Sequence, residues 1–405
     1  MSNNAAIFLR QCAPFFTGPT AQTSNFLAEI IKRGRPPTSY LRAMTQITPA
    51  GVTIELSAPD TERWAWRRMA AVVPAAPQPL WRISIPPSRE AIGTEPKILN
   101  QPDCRLGSAY AKERLRIEAA HEQHMSHGGM ASLRTTNLHS TPKLIRGALK
   151  SVGLYRRARA NAARVQVEEN ILRFANLPEA FDGFTILHIS DMHVDISGEA
   201  MRQLAELLPD LRCDLCVLTG DFRGKTYGPF DATLAGLARL RSRLPEPVYA
   251  VLGNHDSILM VPGLEAIGIR VLLNECEPIL RGNHAIHLAG IDDAHHYRLD
   301  DIPKAAAGIP QTAFSILLSH TPEVYREAAS AGFDLLLGGH THGGQICLPG
   351  AIPITLDSVL PRRMGSGEWA HEGMTGYTSV GVGSCVEPVR LNCPPTITLH
   401  RLHRV

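Results

Sequence analysis

The hydrophobic pattern of the chain changes near residue 184. From there on, short apolar runs alternate with stretches whose apolar positions recur at helical spacing. FTILHIS (184–190), DLCVLTG (214–220), PVYAVLG (247–253), HAIHLAGI (284–291), FSILLSH (314–320) and DLLLGGH (334–340) predict strands. Residues 199–208, 231–243 and 322–330 predict helices between them. This alternation points to an α/β fold, whose chemistry gathers at the carboxyl ends of the strands and in the loops that follow.

The earlier part of the chain reads differently. Residues 1–138 show little sustained periodicity and many breakers, as in RGRPPTSY, VVPAAPQPLW and SIPPSREAIGTEPK, with one helix expected around 109–124. We expect an irregular extension here, without a cleavable signal pattern. A start nearer Met125 or Met130 would explain the same text. Residues 139–175 form a basic helical segment, carrying Lys143, Arg146, Lys150, Arg156, Arg157, Arg159 and Arg164 with no Asp or Glu over 143–164. Leu144, Ile145, Ala148, Leu149, Val152 and Tyr155 supply an apolar stripe, interrupted by Gly147 and Gly153. Such a helix suits an anionic membrane surface, or packs as a solvated helix on the domain that follows. That catalytic domain is expected over 180–405.

Composition narrows the classes. With 405 residues, 44% hydrophobic and 20% charged, the chain can bury a large core and is no disordered tail. A net charge of +3 makes no case for nucleic acid, and no basic groove interleaved with aromatics marks a nuclease. No apolar run reaches eighteen residues. Eight cysteines spread through so long a chain exclude a small disulfide framework and fit a reducing compartment. Cys213 and Cys216 have CxxC spacing but fall on a predicted strand with no second pair, so they read as structural.

The strand ends carry the chemistry. In order they read Ser190-Asp191-Met192-His193, Gly220-Asp221, Gly253-Asn254-His255-Asp256, Ser319-His320 and Gly339-His340-Thr341-His342. Each alone is an ordinary turn; five in succession, all with oxygen or nitrogen donors, are not. The glycines of LLLGGHTHGGQICLP let the backbone turn sharply and a ligand come close, and its two imidazoles suit a borderline metal.

This set, DxH, GD, GNHD, H and GHTH, resembles the calcineurin-like metallophosphoesterase superfamily over about 184–402. The resemblance implies a four-layer sandwich, two packed β-sheets flanked by helices, with two metal ions at one edge. It implies that Asp191, His193 and His342 hold one ion, that Asp221 bridges, and that Asn254, His320 and His340 complete the other. Two carboxylates against two divalent ions leave surplus positive charge for a phosphate, and mixed nitrogen and oxygen ligation favours Mn, Fe or Zn. By the same resemblance His255 donates to a phosphoryl oxygen or to the leaving group, with Asp256 orienting it. Arg223 and Arg390 are candidate phosphate contacts. His284, His287, His295 and His296 read as ordinary, although His295 lies close enough to Asp292 and Asp293 to line a cleft.

Within the superfamily, GHTHGGQICLP and GVGSCVEPVRLNCPPTITL are similar to a branch of membrane-associated phosphoesterases and UDP-2,3-diacylglucosamine pyrophosphatases. The expectation is a hydrolase of a phosphoester or pyrophosphate bond, its substrate a phosphorylated small molecule or a lipid-linked sugar nucleotide of lipid A assembly. It would be cytoplasmic and peripheral on the inner face of a membrane, touching it through 143–164. The alternatives are a phosphodiesterase or phosphatase on a soluble substrate, and a catalytically silent scaffold of the same fold.

Overall fold

The computed structural model describes residues 107–127 and 140–405, and a short strand pair, Ile47–Thr48 with Gly51–Val52. That pair lies in a unit of its own, residues 1–94, and the second unit, 95–405, holds the two large sheets and the site. The rest of the extension expected over 1–138 falls outside the described residues, apart from helix α1 (Ser108–His127), which matches the helix read from the sequence.

Two helices come after it, α2 (Ser140–Ser151) and α3 (Tyr155–Ala162), and then strand β1 (Gln166–Phe174). The chain continues through β2 (Phe184–Ile189), α4 (Gly198–Leu207), β3 (Leu215–Thr219), α5 (Asp231–Arg241), β4 (Val248–Val251), α6 (Val261–Ala266) and β5 (Arg270–Val271). Next come β6 (Glu275–Arg281), β7 (His284–Gly290), α7 (Ile302–Ala306), β8 (Ser315–Leu318), α8 (Tyr325–Ser330) and β9 (Leu335–Gly338). A small hairpin, β10 (Cys347–Leu348) and β11 (Ile352–Pro353), precedes β12 (Gly367–His371), β13 (Met374–Thr378) and β14 (Thr396–Arg404). The strands form two six-stranded sheets, ordered β1-β14-β2-β3-β4-β5 and β12-β13-β9-β8-β7-β6.

Side-chain alternation builds the layers. Leu335 and Leu337 point into the space between the sheets, with Ile186, Val217, Ile316 and Leu318, whereas Leu336 and Leu317 face outward onto Tyr325, Ala328 and Trp369. On the other flank Leu187, Ile189 and Leu218 meet Leu204, Leu237 and Leu264 of the helices. With both faces covered, the inner strands are largely apolar, and each fully buried leucine contributes about 1.5–3 kcal/mol. The result is the expected sandwich of helix, sheet, sheet and helix.

The basic segment differs from its expected bounds. Only 140–162 is helical; residues 166–174 form β1, paired in parallel with β14 along its whole length. The helices pack on the domain through Leu149 and Ala158 against Val389 and Leu391, and the Arg146 guanidinium meets the Glu387 carboxylate at 3.0 Å. Among the described residues no helix is long and apolar enough to cross a membrane.

Candidate metal centre

Each of the five expected clusters begins where a parallel strand ends. Asp191 and His193 follow β2, Asp221 follows β3, Asn254 and His255 follow β4, His320 follows β8, and His340 and His342 follow β9. Asp191, His193, Asp221, His340 and His342 all adopt the left-handed backbone, with φ between 41° and 70°. Side chains rarely occupy this region, and its concentration at one edge marks a place where geometry is imposed by the surroundings. Close backbone approach adds to this. A Cβ on Gly339 would lie 2.3 Å from Asp191 Oδ2, and one on Gly253 would lie 2.2 Å from Asp221 Oδ1, so both positions exclude any side chain.

Backbone hydrogen bonds then fix the donors. The Asp191 carboxylate accepts the His340 N–H at 3.1 Å, and Asp221 Oδ1 accepts the His255 N–H at 2.9 Å. His193 Nδ1 donates to the Arg223 carbonyl at 2.8 Å and His320 Nδ1 to the Thr219 carbonyl at 2.7 Å, so each ring turns Nε2 inward.

Two convergent groups result. In the first, Asp191, His193, Asp221 and His342 each bring a donor atom within 4.8 Å of the others, and the two Nε2 atoms of His193 and His342 stand 3.0 Å apart. In the second, Asn254 Oδ1 lies 3.0 Å from His320 Nε2 and 2.9 Å from His340 Nδ1, while Asp221 Oδ2 is 3.4 Å from His320 Nε2. Asp221 belongs to both.

The donors fit divalent ions because they are short of protons. An amide oxygen can only accept, and His320 has already spent its Nδ1 proton on Thr219. Filling the second group without a metal therefore needs an extra proton on that ring. Burial opposes the charge, yet the Asp221 carboxylate lifts His320 to about 10. Burial would likewise raise Asp221, but His320, His255 and His193 hold it well below the usual carboxylate range. Burial, aided by His193 and Arg390, keeps His342 well below its ordinary value, in the neutral form a metal requires. The family's centre is a pair of divalent ions, and this cluster of histidines and aspartates is suited to hold them.

The remaining expected residues fall out differently. His255 is buried, its Nδ1 3.2 Å from Thr226 Oγ1 and its Nε2 3.9 Å from Asp221 Oδ2, and burial lowers it to about 3 despite Asp221. Asp256 does not orient it. The Asp256 carboxylate instead accepts the N–H groups of Phe222 at 3.0 Å and Gly253 at 2.9 Å, tying the loop after β3 to that after β4. Thr226 takes the place expected of Asp256. The phosphate contacts expected of Arg223 and Arg390 meet the same correction, because both guanidinium groups are buried and each of their nitrogens is held by a backbone carbonyl. Arg223 donates to His255, Thr226 and Gly228; Arg390 donates to Val380, Gly381 and Gly383 and lies 3.2 Å from His342 Nδ1. They brace the loops from behind.

Two neighbours outside the expected site residues join the site: His295, which the sequence reading allowed to line a cleft, and one that it missed. The His295 ring sits 4.3 Å from the His340 ring, and its Nδ1 pairs with the Glu323 carboxylate at 2.9 Å. Burial lowers its basicity, but Glu323 outweighs it and His295 is raised above its ordinary value. Its position after β7, at the same sheet edge, was the available signal. The second is Cys385, in the GVGSC stretch, whose Sγ is 4.0 Å from His255 Nε2 and joins His193 and His342 within 4.8 Å.

Comparison with known proteins points to one family. A family model described as calcineurin-like phosphoesterase matches residues 184–344. The uncharacterized metallophosphoesterase YkoQ of Bacillus subtilis is 30% identical over 54% of this chain and 83% of its own length. The phosphodiesterase YaeI of Escherichia coli is 29% identical over 54% of this chain and 82% of its own. A transmembrane protein with a metallophosphoesterase domain from Bos taurus is 29% identical over 63% of this chain and 60% of its own.

Proposed function

The chain belongs to the calcineurin-like phosphoesterase family, and from that premise we propose that it is a binuclear metal-dependent phosphodiesterase whose ions are held by Asp191, His193, Asp221, Asn254, His320, His340 and His342. The observation that carries this reading is the convergence of seven donors from loops of both sheets, one of them, Asp221, shared by the two groups. A silent scaffold would be free to lose a donor; here every position keeps one. When bound, the ions supply Lewis acidity, activating water and neutralising charge on the phosphoryl oxygens.

The chain's own residues do the rest. Asp221, fixed by the His255 N–H, holds the two groups in register. Thr226 sets the His255 ring, so its neutral Nε2–H points into the site as a hydrogen-bond donor for a phosphoryl oxygen or the departing alkoxide. His295, whose basicity the Glu323 carboxylate raises above its ordinary value, stands on the His340 side.

The finer reading is a diphosphate bond in a lipid-linked sugar nucleotide, cleaved at a membrane surface. It is supported by α2 and the turn after it, where Leu144 is 74% exposed and Val152 46%, flanked by exposed Lys143, Lys150, Arg156 and Arg157. Each such cation adds roughly 1 kcal/mol at an anionic surface.

The test offers the Mn-loaded protein bis(p-nitrophenyl) phosphate, a cyclic nucleotide and an acylated UDP-sugar in mixed micelles, with metal content measured alongside. Two ions per chain and diester cleavage abolished by chelation support the phosphodiesterase. An absence of bound metal, or activity indifferent to chelator, sinks it. Release of UMP at much higher efficiency than cleavage of the soluble diesters supports the lipid substrate, and the opposite preference removes it.

A further inference from the structure

Helix α1 lies upstream of the residues that the family model matches, yet it is built into the edge that carries the site. Arg114 is fully buried on its inner face. Its Nε donates to Asp292 Oδ2 at 3.0 Å, its Nη2 donates to the Asp256 carbonyl at 3.2 Å, and its guanidinium lies 3.2 Å above the Tyr297 ring. One turn on, the Glu118 carboxylate pairs with Arg114 at 3.1 Å and accepts the Ser257 hydroxyl at 2.6 Å and the Ile258 N–H at 2.9 Å. Tyr110 donates to Asp292 Oδ2 at 2.5 Å.

These contacts land on two loops only. One follows β4 and carries His255; the other follows β7 and carries His295. The two imidazoles flank the proposed ion pair, His255 beside Asp221 and His295 against His340. We propose that α1 is a bracket of the active centre, with Arg114 the positioning residue that sets the His255 and His295 loops on either side of the metals. The inference rests on the phosphodiesterase reading for its effect on rate, but not for its effect on the loops. A buried charge-assisted contact suits this task because one rigid planar group can bond both loops at once.

The experiment uses the full chain, with bis(p-nitrophenyl) phosphate turnover, metal analysis and amide hydrogen exchange. In Arg114→Met, amides of 253–258 and 292–297 should exchange at least tenfold faster while those of β2 and β3 do not change. Turnover per folded molecule should fall tenfold or more at unchanged metal content and near-unchanged KM, and Arg114→Lys should recover part of it. Arg116→Ala, which breaks only the exposed pair with Glu113 on the outer face, should match wild type. If Arg114→Met fails to fold, Glu118→Gln and Tyr110→Phe carry the same test, each predicted to loosen the loop it touches. Unchanged exchange in both loops overturns the bracket, as does a lower melting temperature with unchanged turnover, or loss of metal in place of loop mobility. An inactive wild type would defeat the phosphodiesterase reading, and hydrogen exchange would still decide the bracket.

Discussion

The two sheets share an inner plan of four parallel strands, β2 to β5 in one and β7, β8, β9 and β13 in the other, but they bring different chemistry to the common edge. The first supplies Asp191, His193, Asp221 and Asn254, and so all the negative charge. The second supplies His320, His340 and His342, imidazoles alone. Neither sheet makes a metal site by itself. The ions would sit on the seam, fastening one sheet to the other, and without them carboxylates of one sheet face nitrogens of the other.

The bridging carboxylate offers the hardest way to break this picture. Asp221→Ala should lower diester turnover by roughly a thousandfold or more and reduce metal content below two per chain, since both groups lose a shared anion. Two retained ions in that variant would mean that the two donor groups do not share a ligand. His255 tests the opposite claim, that a residue of the first sheet acts without binding metal. His255→Ala should cost roughly a hundredfold in rate, within the range for a positioned hydrogen-bond donor to the developing charge, with two ions still bound. Metal loss there would move His255 into the coordination shell.

A smaller effect sharpens the comparison of charges. Without metal, His320 of the second sheet titrates at about 10 because Asp221 of the first stands against it, and as a metal ligand it must be neutral. Its folded value is raised, so the extra proton is held at all pH values below about 10 and is surrendered on metal binding. Calorimetry at pH 8 in buffers of different ionisation enthalpy should show about one more proton released by wild type than by His320→Ala. Equal release would place the metal-free proton elsewhere.

How much of this was legible in the sequence depends on burial. The strands β3, β8 and β9 are buried along their whole length and read as short apolar runs, and β2, β4 and β7 keep enough apolar positions to be read as strands despite His188, Tyr249 and His287. Edge strands did not: QVEENILRF exposes Glu168 and Glu169, and ECEPILR keeps a proline and one exposed flank. The metal donors were legible because each directly follows an apolar strand. The roles of Asp256, Arg223 and Arg390 were not, because the carbonyls and N–H groups that capture them come from other loops. Helix α1 could be read as a helix but not as a partner of the site, since nothing in its sequence distinguishes the buried Arg114 from the exposed Arg116.

The smallest predicted effect concerns polar groups inside the first sheet. His188 on β2 and His400 on β14 are both buried, 3.3 Å apart between Nδ1 and Nε2, and His188 Nε2 lies 2.8 Å from Thr219 Oγ1. The Tyr377 ring of the second sheet stands edge-on to both. Burial pushes His188 down to about 3 and His400 well below its ordinary value, so both stay neutral in the fold. Their folded values are depressed below 6.5, while the unfolded chain takes up protons there. The stability they contribute is therefore complete above about pH 6.5 and is lost as pH falls toward 3, at up to about 1.4 kcal/mol per pH unit for each ring. Urea unfolding of metal-stripped protein between pH 6 and 4.5 should show this slope, and His400→Gln should flatten it by up to about 1.4 kcal/mol per unit. Metal-stripped protein is the right sample, because acid release of the ions would otherwise add its own slope. Identical slopes in the two proteins would mean that the interior of the first sheet accepts a proton after all, and that the separation of charge between the sheets is confined to their edge.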